Sequence, residues 1–552
     1  MNLESAYLTK QIIAYIGNKR KLLSLIYKAL ELCRIHEGDN IKFADLFCGS
    51  GVVSRFAKSL GFEVHCNDWE YYATLLAEGF IKANKRDLRA LFGGTAQYEK
   101  LIKEINSLPA PAKKDQYIAR YYAAHKDDIS KADNKTERLF YTHQNALAID
   151  KIRNYIEQNF PEKNLARSIL ISNLLYESAT HTNTSGVFKA YHKEFGGHGK
   201  DALARILGQI ELHPNELIDS DRDVFVYNMD ANKLVKELAP MDVVYLDPPY
   251  NQHQYGSNYH MLNTIACWDK IPEPLELNEK GVLKNKAGIR TDWVKTRSPY
   301  CYRDTAIVVF EDLIKNINSK YILISYSSDG IIPFDEMKRI CLSKGYVSIV
   351  TSDYVKYRGG KQSNKRLNSD IEFILVIDTC RKSRKECEVN IDKVVLEKKV
   401  LLMLKRRYCC QRVKENFKIN GADGLKLTLG SKTVEFESTD NFTINLLTEL
   451  ESLSFEDLSA LLTVLEKCVC STKQEELEQL IELSQRPGAN NKKYIRAIPV
   501  TLKKFAQKKY KDLFYTMLNE VHQLDKKTPD LYTLIKEKVD EVEQIATIRF
   551  NT

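Results

Sequence analysis

Residues 41–68, IKFADLFCGSGVVSRFAKSLGFEVHCND, constrain the fold of this chain more than its other stretches do. An apolar run at 41–47 leads into two glycines, a short helical pattern ends at Gly61, and a second apolar run follows. A strand, a helix and a second strand in so short a segment are typical of a parallel α/β unit, because parallel strands need a crossover. The sequence therefore predicts an α/β sheet whose ligands bind at the carboxyl ends of the strands.

The strand signature returns later in the chain, after a long stretch without it. From about 85 to 215 the pattern is helical, polar and rich in lysine. Strand patterns then recur at 223–228, 242–247, 321–327, 346–358 and 370–378, the last two being read as a hairpin. We therefore expect a sheet domain made of 1–84 and 222–380, a helical insertion at 85–221, and a further, mainly helical domain at 386–552.

The composition is that of an ordinary globular protein. Of the 552 residues, 43% are hydrophobic and 28% charged, and no apolar run approaches the roughly twenty residues of a membrane span. The first residues lack the layout of a signal peptide, and the twelve cysteines are scattered without CxxC spacing. Scattered thiols in a chain of this size are more often reduced core residues than ligands or disulfides. We expect a protein of the reducing cytoplasm, with no membrane partner and no metal.

The charge is concentrated in two runs near the C-terminus. The net charge is +9, and the runs 398–418 and 491–514 each hold eight Lys or Arg against a single acid. Both runs interleave basic and aromatic side chains, as nucleic-acid surfaces often do. Two solvated helix faces would give the same pattern, so both interpretations stay open at this point.

The glycine turn after the first predicted strand has the features of a cofactor site. Gly49 and Gly51 let backbone N–H groups approach a ligand, but the third glycine of the dinucleotide fingerprint is missing. Asp45, before the turn, suits a positively charged group. Asp68, seventeen residues after Gly51, suits the two hydroxyls of a ribose. An amino-acid head group plus a ribose describes S-adenosylmethionine better than a dinucleotide.

The segment VVYLDPPY, residues 243–250, ends a strand pattern on a carboxylate and two prolines. The prolines stop the strand, which places Asp247 at its carboxyl end. The Asp247 carboxylate and the Pro248 carbonyl can both accept hydrogen bonds from one exocyclic amine, which favours the lone-pair geometry that attacks a methyl group. Tyr250 offers a flat face to a base, and the rigid turn leaves little reorganisation for the transition state.

Three motifs occur in a fixed order: YIGNK at 15–19, DLFCGSG at 45–51 and DPPY at 247–250, with a long insertion between the last two. This combination resembles the adenine-specific DNA methyltransferases of bacterial restriction–modification systems, and in particular the DNA adenine methylase group with the alpha-type motif order. The resemblance covers roughly residues 8–380. It implies a Rossmann-like S-adenosylmethionine-dependent methyltransferase sheet, with DNA recognition in the insertion. Residues 385–552 have no counterpart in the minimal enzymes of this family.

The resemblance also implies roles for individual residues. The catalytic residues would be Asp247, Pro248, Pro249 and Tyr250. The cofactor-binding residues would be Tyr15, Gly17, Lys19, Asp45, Phe47, Gly49, Gly51, Asp68, Trp69 and Asp230. The first three of these are expected near the methionine end of S-adenosylmethionine, and Trp69 and Asp230 near its adenine. Methyl transfer from a sulfonium needs no metal.

Three groups of residues are expected to contact DNA. The loop 180–203 is rich in hydroxyls, lysine and glycine, which suits phosphates and base edges, and it resembles the family segment that touches DNA. The late hairpin loop resembles the family element that approaches DNA, and the second basic run adds lysines. The candidates are Thr184, Ser185, Lys189, Tyr191, His192, Arg358, Lys361, Lys365, Lys503, Lys504, Lys508 and Lys509. His181, His192 and His198 lack the Cys or carboxylate spacing of a metal site.

The leading interpretation is a site-specific enzyme that methylates N6 of an adenine flipped out of duplex DNA. A cognate restriction endonuclease would be its partner. An RNA N6-adenine methyltransferase would use the same chemistry, but the long insertion and the C-terminal domain favour duplex recognition. N4-cytosine enzymes usually carry Ser where this chain has Asp247. A non-catalytic DNA-binding protein with a vestigial fold is the remaining alternative, and the intact Asp45, Asp68 and Asp247 argue against it.

Overall fold

The computed structural model describes residues 2–197, 200–352, 371–420, 423–487 and 490–551. These residues form two compact units. The first contains the described residues up to 352 together with 371–391, and the second contains those from 392 onward. Within the described residues, no helix is both long and apolar enough to span a membrane.

The described residues of the first unit form a seven-stranded sheet. Its strands are β1 Lys42–Asp45, β2 Glu63–Asn67, β3 Val224–Tyr227, β4 Met241–Leu246, β5 Ser319–Ser327, β6 Tyr346–Thr351 and β7 Glu372–Asp378. The strand order is β3-β2-β1-β4-β5-β7-β6. Strands β1 to β5 run parallel to one another, whereas β7 is antiparallel to both of its neighbours, β5 and β6. The chain is therefore a mixed α/β protein with a mainly parallel sheet, as predicted.

Fifteen helices accompany this sheet in the described part of the first unit. They are α1 Ala6–Thr9, α2 Leu23–Leu32, α3 Val52–Ser59, α4 Tyr71–Ala77, α5 Asp87–Phe92, α6 Thr95–Ser107, α7 Ile118–Tyr121, α8 His143–Asn159, α9 Leu165–Thr180, α10 Leu203–Leu207, α11 Ala231–Leu234, α12 Tyr255–Asn258, α13 His260–Cys267, α14 Ala306–Asn316 and α15 Phe334–Lys344. A π-helical turn at Glu78–Lys82 continues α4. Short 3₁₀ turns lie at Arg20–Leu22, Lys113–Asp115, Ile129–Lys131, Thr291–Thr296 and Pro299–Cys301.

Neighbouring residues of each strand point to opposite faces of the sheet, and helices cover both of these faces. Phe43 and Val243 pack in a core with α2 and α3. Ala44 and Val244, the next residues along the same paired strands, pack in a second core with α11, α14 and α15. Because both faces are buried, the strands are apolar almost throughout. Polar side chains that could bind a ligand are therefore expected at the ends of the strands.

The region between β2 and β3 is largely helical, as its polar, lysine-rich sequence indicated. Helices α4, α6, α8, α9 and α13 share one core. Thr142 and Asn164 cap α8 and α9 by accepting hydrogen bonds from the N–H groups of Asn145 and Arg167. The insertion is therefore joined to α4 and α13, which flank the site described below.

A buried arginine joins the insertion to the segment that follows β4. Arg138 is 1% exposed and donates to the carbonyls of Tyr121 (3.1 Å), Glu273 (2.9 Å), Pro274 (3.2 Å) and Asn285 (3.1 Å). Because the guanidinium has five rigidly placed donors, it can hold several carbonyls at once. This contact orders the chain just before residues 296–300, which line the candidate site.

The second unit combines helices with a small sheet. Helix α16, Lys385–Leu404, crosses from the first unit into it. Its other elements are α17 Cys410–Asn416, β8 Lys418–Asn420, β9 Gly424–Leu429, β10 Lys432–Glu437, β11 Asn445–Leu446, α18 Phe455–Cys468, α19 Lys473–Gln485, α20 Asn491–Leu502, α21 Lys511–His522, α22 Leu524–Lys527, α23 Pro529–Tyr532 and α24 Lys536–Asn551. Short 3₁₀ turns lie at Leu450–Ser452, Lys503–Phe505 and Lys508–Tyr510.

The pair β9–β10 is the strand–turn–strand predicted at 425–438, and it is antiparallel. The described residues extend it to a four-stranded sheet in the order β11-β10-β9-β8. Two cores fill the second unit: one joins this sheet to α18, and the other joins α19 to α24.

Candidate active site

The glycine turn after β1 packs closely against the segment that contains Tyr15. Gly49 and Gly51 have φ angles of 50° and 78°, which side chains rarely adopt. A Cβ atom at Gly49 would lie 2.6 Å from the Tyr15 ring, and one at Gly51 would lie 2.9 Å from Cδ1 of Ile81. Only glycine fits at these positions without strain, so the turn can pass close to Tyr15 and Ile81.

The Asp68 carboxylate holds this turn in place. Its Oδ2 accepts from the N–H of Gly49 and its Oδ1 from the N–H of Glu70, both at 2.9 Å. Burial raises the pKa of Asp68 to about 6, although the backbone hydrogen bonds act to lower it. A carboxylate has about four acceptor sites, so these two bonds leave capacity for ribose hydroxyls.

Asp45 is buried at the carboxyl end of β1. Its Oδ2 accepts from the Ser54 hydroxyl at 2.7 Å, while its buried Oδ1 has no hydrogen-bond partner among the described residues. Burial raises the pKa of Asp45 to about 7, opposed by the Ser54 hydrogen bond and reinforced by Asp247. A buried acceptor without a partner is costly, so an arriving ammonium group would be favoured here.

Lys19 lies against the segment after β4. Its Nζ is 2.9 Å from Oδ1 of Asp247, and the two side chains are 4% and 17% exposed. Burial alone would lower the pKa of Lys19, but the neighbouring Asp247 carboxylate raises it above its usual value. The same Nζ lies 5.2 Å from the centre of the Tyr250 ring. The ion pair therefore fixes the position of the Asp247 carboxylate.

The Tyr250 ring is held from three sides. The ring packs edge-to-face with the Tyr326 ring, with 5.9 Å between the ring centres. The backbone carbonyl of Tyr250 accepts a hydrogen bond from the N–H of Ile331 at 3.2 Å. A Cβ atom at Gly17 would lie 3.1 Å from the Tyr250 hydroxyl, and Gly17 has a φ of 80°. The ring has little freedom to move, as a stacking platform requires.

Two cavities that share Tyr15, Phe47 and Asp247 lie among these groups, but Tyr250 lines neither of them. The larger of the two encloses about 700 Å³ of empty space, part of it open to solvent. It is lined by Tyr15, Phe47, Asp68, Trp69, Asp230, Asp247 and Pro249 among the predicted residues. The smaller is lined by Gly17, Lys19, Asp45, Gly49 and also Asp247. Asp247 thus lies on the wall of both.

Several lining residues were not predicted from the sequence. Glu70 is buried, accepts from Asn263 at 2.6 Å and has a pKa raised by burial to about 7. Tyr255, Thr296, Ser298 and Tyr300 also line the larger cavity. Glu70 follows Asp68 by two positions and Tyr255 follows Tyr250 by five, so nearness to the motifs was a usable signal for these two. The other three come from a polar stretch with no local pattern.

The cysteines and acids do not form a metal cluster in the described residues. No group of three or more His, Cys, Asp or Glu side chains is placed there to hold an ion. All twelve cysteines are free thiols, and ten of them are buried.

The predicted DNA-contacting residues have varied environments. Ser185, Lys189, Lys503, Lys504, Lys508 and Lys509 are exposed. Thr184 is 2% exposed, and the Tyr191 ring packs on Phe140 while its hydroxyl donates to the Glu137 carbonyl at 3.1 Å. Thr184, Ser185 and His192 line a wide groove that also contains Arg20 and Lys21. Arg358, Lys361 and Lys365 lie outside the described residues.

Arg55 on α3 anchors the chain that leads to Tyr15 and Lys19. It is 1% exposed and donates to the carbonyls of Tyr7, Lys10 and Gln11, each at 3.0 Å. Burial lowers the pKa of Arg55 to about 10. A buried guanidinium bound to three carbonyls ties the N-terminal segment to the helix that follows the glycine turn.

We expect Arg55→Ala to destabilise the first unit by roughly 3 kcal/mol, because one buried and two part-buried hydrogen bonds to carbonyls are lost and a buried polar group left without a partner costs about 1–3 kcal/mol. Arg55→Lys should recover only part of this, since a single ammonium cannot reach three carbonyls. Urea unfolding measures the loss, with exposed Arg89 changed to Ala as the control. A midpoint unchanged in Arg55→Ala would contradict the anchoring role.

Comparison with known proteins agrees with this geometry. Residues 15–324 match the family described as D12 class N6 adenine-specific DNA methyltransferase. The type II methyltransferase M.NlaIII of Neisseria lactamica is 28% identical over 369 residues, which are 66% of this chain and 98% of that protein. The modification methylase LlaI of Lactococcus lactis subsp. lactis is 29% identical over 375 residues, or 66% of this chain and 54% of LlaI.

The modification methylase StsI of Streptococcus sanguinis is 30% identical over 370 residues, which are 65% of this chain and 51% of StsI. The chain thus spans nearly all of one relative and about half of the other two. The family match covers more than half of the chain and contains all three motifs on which the resemblance was stated. The prediction is therefore confirmed, and the chain belongs to the D12 class N6 adenine-specific DNA methyltransferases.

Proposed function

We propose that this chain transfers the methyl group of S-adenosylmethionine to N6 of an adenine flipped out of duplex DNA. The observation that carries the proposal is the position of Asp247. It is paired with Lys19 at 2.9 Å, and it lies on the wall shared by the cavities that contain Asp45 and Asp68. A methyl donor and an amine acceptor could meet at this carboxylate.

The residues on the donor side fit S-adenosylmethionine, which supplies the methyl group. The buried Oδ1 of Asp45, without a partner among the described residues, suits the ammonium of the methionine portion. Asp68 keeps acceptor capacity for the ribose, and the larger cavity, which Trp69, Asp230 and Tyr300 also line, would hold the adenine. Carboxylates around a cation favour it electrostatically.

The residues on the acceptor side suit a flipped base. The Asp247 carboxylate and the Pro248 carbonyl would accept the two hydrogens of N6, and the Tyr250 ring would stack on the adenine. Lys19 holds the carboxylate in place, and the carboxylate as acceptor would orient the nitrogen lone pair toward the methyl group. Because these groups are already held in place, little reorganisation is left for the transition state.

The strand order β3-β2-β1-β4-β5-β7-β6, with one antiparallel strand near the edge, supports a Rossmann-like methyltransferase sheet. In such a sheet the ligands lie at the carboxyl ends of the parallel strands, where Asp45, Asp68 and Asp247 are found. The second unit would then be an accessory domain.

We also propose that the enzyme belongs to a type II restriction–modification system with a cognate endonuclease. The support is the names of its relatives, which are type II methyltransferases and modification methylases. The chain would then protect one short duplex sequence from cleavage.

The test is to incubate the purified chain with duplex DNA and S-adenosylmethionine and to sequence the product by a method that detects modified bases. We expect N6-methyladenine at one short recurring sequence. Modified cytosine, methylation of RNA alone, or an unmodified product would overturn the proposal. Protection of the methylated DNA from an endonuclease encoded beside the gene would test the second part.

Asp68→Asn should weaken S-adenosylmethionine binding by roughly ten- to a hundredfold, because charged hydrogen bonds contribute about 1.5–3 kcal/mol. Calorimetry measures the change. Asp242→Asn, at the opposite end of β4, is a control expected to keep its affinity. Unchanged binding in Asp68→Asn would move the ribose contact to another acid, with Glu70 the next candidate.

A further inference from the structure

Helix α20 and the turn after it carry a row of basic side chains on one side. The residues Lys492, Lys493, Arg496, Lys503 and Lys504 are all exposed. Their spacings of three, four and seven residues place them on a common side of the helix. We call this set the α20 basic face.

The other side of α20 is buried, which fixes the orientation of the basic face. Tyr494, Ile495, Ile498 and Leu502 are at most 4% exposed and pack in the core of the second unit. Val500, at 64% exposed, lies within the basic face rather than in the core. The basic side chains therefore point outward because of how the helix packs.

No acidic residue close in sequence balances the positive charge of this face. There is no Asp or Glu between Glu482 and Asp512. Although Lys504 is exposed at the surface, the atoms packed around its side chain lower its pKa, and nearby Lys473 and Arg407 lower it further against the opposing effect of Glu476. Glu476 is itself paired with Lys473. Repulsion between uncompensated cations costs stability, so such a face is suited to a polyanion.

We propose that the α20 basic face binds phosphates of duplex DNA that flanks the methylated sequence. This inference rests on the proposed function, which makes duplex DNA the substrate. The face lies outside residues 15–324, the part that matches the family. Lysines act as point charges toward phosphates and carry no base readout. The face would therefore add affinity and leave the choice of sequence to the first unit.

The experiment compares the full chain with a variant carrying Lys492→Gln, Lys493→Gln, Lys503→Gln and Lys504→Gln. Each phosphate contact contributes about 0.9 to the slope of log affinity against log salt. We expect the slope to flatten by up to about 3.6, and affinity in roughly 0.1 M salt to fall at least tenfold. The loss should be equal on cognate and scrambled duplexes, and greater on a long duplex than on a short one.

The matched control carries Lys526→Gln, Lys527→Gln, Lys536→Gln and Lys538→Gln. These lysines are exposed in the same unit and lie among acids such as Asp525 and Glu537. The control removes the same charge and should keep the slope of the unchanged chain. An equal loss in both variants would indicate only a net-charge effect and overturn the proposal.

The proposal is also overturned if the basic-face variant has the same slope of log affinity against log salt as the unchanged chain. A loss of affinity for the cognate duplex alone would overturn it too, as would a loss of binding to structured RNA but not to duplex DNA. Its failure can be told from failure of the proposed function, which would appear as no methylation of any duplex by the unchanged chain. The position of N6-methyladenine in the variant's product should be the same as before.

Discussion

Asp247→Ala should lower the rate of methyl transfer to duplex DNA by on the order of a hundred- to a thousandfold, the usual cost of removing one preorganised electrostatic contact. The substitution removes one of the two acceptors for N6 and leaves Lys19, which is 4% exposed, without its carboxylate. Single-turnover methylation with labelled S-adenosylmethionine measures the effect. Turnover near that of the unchanged chain would refute the assignment of Asp247.

A loss of folding must be distinguished from a loss of chemistry. S-adenosylmethionine binding by Asp247→Ala, measured by calorimetry, should stay within roughly tenfold, because Asp45 and Asp68 remain. The double variant Lys19→Met with Asp247→Ala removes the unpaired buried charge. It should regain stability in urea relative to Asp247→Ala but no activity, since breaking one partner of a buried pair costs more than removing both.

The affinity for S-adenosylmethionine should fall about a hundredfold between pH 7.5 and pH 5.5, because two acids near their pKa values must lose protons to hold a cation. Burial raises the pKa of Asp45 to about 7 and that of Asp68 to about 6. A bound cation favours the ionised carboxylates, so binding releases protons and tightens as pH rises. The affinity should level off above pH 8.

Calorimetry in buffers of different ionisation enthalpy counts the protons released when S-adenosylmethionine binds. It therefore gives a second test of the coupling between binding and the loss of protons from these acids. In Asp68→Asn the pH dependence should become shallower, since one titrating group is gone and Asp45 remains. Glu70 also lines the cavity with a pKa raised by burial to about 7, and Glu70→Gln tests whether it contributes. An affinity independent of pH in the unchanged chain would mean that neither carboxylate contacts the cationic cofactor.

Much of the fold and the chemistry could be read from local sequence, because strands, turns and helix faces follow short-range patterns. Apolar runs lead to Asp45 just before the glycine turn and to Asp68 and Asp247 at the ends of two strand patterns, so three acids were predicted at or near the carboxyl ends of strands. Those strands are β1, β2 and β4, which are neighbours in the sheet. Two prolines after Asp247 predicted the rigid turn, since proline cannot continue a strand. The sequence alone thus determined the class of fold, the motif order and the family.

Only the tertiary structure decided which distant groups meet. The ion pair of Lys19 with Asp247 and the clamp of Arg55 on residues 7–11 join segments far apart in the chain. Thr296 and Ser298 reach the cavity from a stretch with no local pattern. The packing of α20 turned an ambiguous basic run into an exposed face. Local patterns determine the conformation of a segment, but contacts between segments depend on how their buried surfaces pack.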